Sequence, residues 1–99
     1  RYVLAALQEK NATEHKFFAI DKYTFGYNNW KKYLADFDFD EIEIFGFCTD
    51  ICVVSNALIL RALFPNMKIT CVENCCAGVT PELHKAALDV MRSCQIDVE

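Results

Sequence analysis

Ninety-nine residues, 54% hydrophobic and 13% aromatic, suffice for one cored domain at the low end of length for a doubly wound α/β fold. A net charge of −4 and a pI near 5.1 exclude an electrostatic grip on nucleic acid or on an anionic membrane. No apolar run approaches the roughly 20 residues that span a bilayer, and the amino end lacks a signal-peptide pattern, so a soluble, cytoplasmic protein is expected.

In chain order, residues 1–10 read as the end of an amphipathic helix with no cap before it, as if cut from a longer chain, and Glu9-Lys10-Asn11 supplies a polar stop. Phe17 to Ile20 is a short apolar run that reads as a strand, closed by Asp21-Lys22. An aromatic loop from Tyr23 to Asn29 and a helix from Trp30 to Ala35 lead to Ile42–Phe47, a second strand rich in β-branched and aromatic side chains. A helix over residues 51–64 follows, with Ser55, Asn56 and Arg61 as its polar members. A helix so apolar around its circumference needs cover on several sides, and a second subunit would provide it; homo-oligomerisation is the expectation. Pro65-Asn66 ends it, Met67–Val72 reads as a strand, and Glu73–Val79 reads as a loop.

Thr80-Pro81-Glu82 opens the next helix with a capping hydroxyl, a proline at the first helical position and an acid in the first turn. Its apolar face is read as Leu83, Ala86, Ala87, Val90 and Met91. Gln95–Val98 is the last strand. The alternation of strands and helices predicts a three-layer α/β fold, a parallel sheet with helices on both faces.

Cysteine 52 falls where the second strand turns into a helix. The first helical turn offers backbone N–H groups and the positive end of the peptide dipoles, both of which favour a thiolate. With Thr49 or Asp50 as the N-cap, Cys52 becomes a candidate nucleophile with a lowered pKa. Buried apolar filler is the more frequent role of a cysteine taken alone. The other five, Cys48, Cys71, Cys75, Cys76 and Cys94, fit reduced thiols better than a disulfide framework. No Cys-x-x-Cys pair or histidine cluster supports a metal on Cys71, Cys75 and Cys76.

Taken together, Gly46-Phe47-Cys48-Thr49-Asp50-Ile51-Cys52-Val53 matches each fixed position of Gly-x-x-Thr-Asp-x-Cys-Val, and the chain thereby resembles the isochorismatase-like cysteine hydrolases, the family that includes nicotinamidases. Lys22 within Asp21–Gly26 and the stretch Cys75–Met91 carry the rest of the likeness, which covers most of the chain. The resemblance implies that residues 1–99 are the carboxyl-terminal part of one such domain. It implies a Cys–Lys–Asp triad in which Cys52 attacks the carbonyl of a small, nicotinamide-like amide and Lys22 holds charge beside it. It also implies a cis peptide between Phe47 and Cys48, and an oxyanion hole made by the N–H groups of Cys48 and Cys52.

The family's aspartate, and the histidine-bearing metal site of many members, lie in an amino-terminal segment that matches nothing here. No metal is therefore expected on these residues, a divalent, zinc-like ion being assigned to that segment, and these 99 residues alone are expected to be inactive. Asp50 is expected to anchor a loop, His84 to lie on a helix surface or in its packing, and His15 to be solvated. Two rival readings stay open: a vinyl-ether hydrolase of the isochorismatase type, which does not use the cysteine, and a catalytically silent member serving as a binding or assembly module.

Overall fold

The computed structural model describes residues 2–9, 15–21, 25–35 and 38–99, with side-chain surroundings for the last two stretches. Five strands form one sheet in the order β2-β1-β3-β4-β5. They are β1 (Tyr2–Glu9), β2 (His15–Asp21), β3 (Phe39–Phe47), β4 (Lys68–Ala77) and β5 (Asp97–Val98). The helices are α1 (Trp30–Tyr33), α2 (Val54–Leu63) and α3 (Pro81–Ser93).

Strands β3, β4 and β5 are parallel, and α2 and α3 make the crossovers between them. This is the α/β arrangement expected of the sequence. The other half of the sheet differs from expectation. Residues 2–9, read as helical, form a strand paired antiparallel to both β2 and β3. Pairing on both edges satisfies the backbone groups of β1 and outweighs the helix preference of its Ala-Leu-rich sequence.

The core lies where α2 and α3 meet the parallel strands. Ile42 pairs with Ile69 and Ile44 with Cys71, so four apolar side chains share one face of the sheet. All four are at most 1% exposed, as are Leu60 of α2, Met91 of α3 and Trp30 of α1. Within α2 only Ala62 is exposed, so this chain itself provides much of the cover that its apolar circumference demands. Arg61 also binds the lower end of the fold together. Its guanidinium donates to the carbonyls of Phe64, Pro65, Met67 and Gln95, tying the end of α2 to the turn after α3.

Helix α3 starts as read, with Thr80 Oγ1 accepting from Leu83 N–H at 3.1 Å and Pro81 at the first position. Its buried side is rotated from the expected one. Ala87, Leu88 and Met91 are buried and His84 half-buried, whereas Leu83 and Val90 are each 45% exposed. The cause is visible at its first turn, where His84 bonds to the turn that follows β3.

Candidate active site

Strand β3 ends at its carboxyl edge in a sharp change of direction. Gly46 has φ +135°, a backbone region that an L side chain rarely enters, and the Phe47–Cys48 peptide bond is cis. Cys48 is extended, and residues Thr49–Val53 then form one π-helical turn. The Cys48 carbonyl accepts from both Ile51 N–H and Val53 N–H at 3.1 Å, the second of these closing the wide ring. Cys52 stands half-buried in this turn, and α2 continues from it.

The sequence suggests Thr49 or Asp50 as the helix cap; the structure gives the capping position to Cys48, without a side-chain cap bond. Both residues are engaged elsewhere. The Thr49 hydroxyl, fully buried, lies 2.8 Å from His84 Nδ1, and Asp50 Oδ1 accepts from Val79 N–H at 3.0 Å. The cysteine turn is thus clamped from below by α3 and from the side by the loop that precedes it. Gly78 permits that approach, since a Cβ there would stand 2.8 Å from His84 Cβ and 2.9 Å from Asp50 Oδ1.

Asn56 is the residue beside the turn whose part sequence reasoning passes over. Its side chain is fully buried and makes four hydrogen bonds. Oδ1 accepts from Tyr27 N–H at 2.8 Å and from Trp30 Nε1–H at 3.0 Å. Nδ2 donates to Phe25 O at 2.9 Å and to Cys52 O at 2.8 Å. One amide therefore joins the 25–30 segment to the peptide group of Cys52. The signal available in the sequence is a lone amide one helical turn after the cysteine in an otherwise apolar helix, where it needs partners to be buried.

A second polar cluster lies below the turn. Cys71 Sγ and Cys76 Sγ are 3.7 Å apart. The hydrogen bond from Cys71 brings the Cys76 thiol down from 9.0 to about 7, burial opposes this, and the Gly46 backbone and Thr49 hydroxyl assist it. The same bond, with burial, pushes the Cys71 thiol far up, so the proton stays on Cys71.

Of the residues singled out from the sequence, Phe47, Cys48 and Cys52 come together at the carboxyl end of β3, the edge where open α/β sheets bind ligands. Lys22 lies outside the described residues. Among the described residues no group of three His, Cys, Asp or Glu side chains could hold a metal ion. An open cleft of about 430 Å³ lined by Asp40, Leu63, Phe64, Pro65, Asn66 and Met67 is at the opposite, amino end of the parallel strands, away from this chemistry. No helix among the described residues is long and apolar enough to cross a membrane.

Residues 5–99 match the family model of the isochorismatase domain. Among solved structures, the chain resembles the nicotinamidase SaPncA from Staphylococcus aureus, with a TM-score of 0.71 and 28% sequence identity. The match covers 81% of this chain and 53% of that one, so this chain spans about half the nicotinamidase's length. A search of curated proteins finds no match.

Proposed function

Since the chain belongs to the isochorismatase family and is a hydrolase-family domain, we propose that the intact protein hydrolyses a small, nicotinamide-like amide through Cys52. The thiolate of Cys52 attacks the carbonyl carbon, and a C–S bond forms. The oxyanion so created is received by the backbone N–H groups of Cys48 and Cys52, where loss of one such donor costs roughly 3 kcal/mol of transition-state stabilisation. Collapse expels the amide nitrogen as ammonia, which takes the proton that the base removed from the Cys52 thiol, and leaves a thioester that water cleaves to the acid and the free thiol. Lys22 holds positive charge beside the thiolate. The base is the family's aspartate, a role that neither Asp21 nor Asp50 matches.

The observation that carries this reading is the placement of Cys52. It is half-buried in a π turn at the carboxyl end of a parallel strand, between the backbone of Cys48 and the amide of Asn56. Such turns recur at functional sites. The proposal includes a cytoplasmic setting, a small-molecule substrate and no nucleic-acid or membrane partner, in keeping with the net charge of −4. It also includes association of identical copies; sedimentation as a monomer at micromolar concentration would remove that part.

Turnover of nicotinamide and related amides by the intact protein is expected to fall by roughly 10³-fold or more in Cys52→Ala. Undiminished turnover would take Cys52 out of the mechanism. Cleavage of a vinyl ether by the variant at the parental rate would point to the cysteine-independent chemistry. Alkylation of Cys52 no faster than that of the other thiols would favour the silent binding module.

A further inference from the structure

Two thiols outside this chemistry are brought together by the backbone. Five positions of strand would place Cys71 and Cys76 about 16 Å apart along a straight β4. Instead Cys71 pairs with Ile44 and Cys76 with Gly46, so β4 advances five residues while β3 advances two. Residues 72–75 bow out of the ladder toward β5, where Glu73 N–H bonds to Glu99 O, and the chain then returns to β3. Partners two residues apart on β3 put the two cysteine Cα atoms about 6 to 7 Å from each other, at the upper end of the span a disulfide bridges. The sulfurs already face each other at 3.7 Å.

The two thiols are also unequal. Cys71 is fully buried, whereas Cys76 is half-buried and is the one that solutes reach first. We propose that Cys71 and Cys76 form an oxidation site, a dithiol that hydroperoxides convert to a disulfide. The Cys76 thiolate attacks the outer oxygen of the hydroperoxide, the O–O bond breaks, and an alcohol, or water from hydrogen peroxide, leaves after taking up a proton. Cys76 is then a sulfenic acid. Cys71 sulfur displaces its hydroxyl, the Cys71 proton leaves with that hydroxyl as water, and the S–S bond closes. Two thiols lose two electrons and two protons in all, and the peroxide takes them up.

The test exposes the intact protein to hydrogen peroxide, alkylates remaining thiols, digests with trypsin and a glutamate-specific protease, and maps masses. Cleavage after Glu73 separates Cys71 from Cys75 and Cys76. The two pieces are expected to stay joined, two hydrogens lighter than their sum, and to part on reduction. The link is expected to persist in Cys75→Ser, a change at an exposed position, and to vanish in Cys76→Ser. A link that survives Cys76→Ser, or full alkylation of Cys71 and Cys76 in peroxide-treated parent protein, overturns the proposal. These pieces do not contain Cys52, so the outcome is independent of the amide-hydrolase reading.

Discussion

Replacing Asn56 with alanine would remove one hydrogen bond from each of four groups: the N–H of Tyr27, the Nε1–H of Trp30, and the carbonyls of Phe25 and Cys52. Because the site is fully buried, water does not readily replace the lost partners, and a loss of about 3 kcal/mol in unfolding free energy is expected from urea titration. Asn56→Asp separates hydrogen bonding from packing. It keeps the shape but turns an oxygen toward the carbonyls of Phe25 and Cys52, where the native NH₂ donates. Burial and those dipoles raise the folded-state pKa of the new carboxyl above its unfolded value. The raised pKa means that the folded state holds the proton more tightly, so the variant's deficit grows as pH rises above the unfolded pKa of about 4 and shrinks below it. Asn56→Asp should therefore lie closer to the parent at pH 4 than at pH 7. An equal deficit at both would show that the amide's donors carry little of the stability.

Helix α3 illustrates how an element is set by its ends. Its apolar residues at 83, 86, 87, 90 and 91 do form a stripe, but the His84 bond to Thr49 turns the helix so that 87, 88 and 91 face inward. Its other end closes with Gln95 at φ 65°, while Ile96 N–H bonds back to Met91 O at 3.0 Å in the six-to-one manner of a left-handed cap. A side chain in that backbone region costs about 1 to 2 kcal/mol. Glycine recovers most of that and gives back about 0.4 to 1 kcal/mol through the freer unfolded chain. Gln95→Gly should thus raise stability by roughly 0.5 to 1 kcal/mol. Since Arg61 bonds only the backbone carbonyl at this position, the tie to α2 is retained. A lowered urea midpoint would show that the Gln95 side chain makes a contact worth more than its strain.

Across the molecule, what sequence could foretell divides along the line between local and distant causes. The order from β3 to β5 was readable because each apolar run is bounded by its own breaker, Pro65-Asn66 or Thr80-Pro81, and the cysteine turn because its motif is contiguous. The strand at 2–9 was not, because pairing with β2 and β3 decides it, and neither was the excursion inside β4 that brings Cys76 against Cys71. The role of Asn56 was hidden likewise, since its partners lie up to 31 positions away. The same division governs the chemistry. The turn around Cys52 is held by Cys48, Asn56, Thr49 and His84, whereas the base of the proposed mechanism is matched by neither Asp21 nor Asp50. The purified 99-residue chain is accordingly expected to hydrolyse no amide above the rate of its Cys52→Ala variant, while the intact protein does. Steady-state ammonia release, compared for the chain, the intact protein and both variants, reads this directly. Turnover by the 99-residue chain that Cys52→Ala abolishes would mean that one of its own carboxylates serves as the base, and the triad would have to be redrawn within residues 1–99.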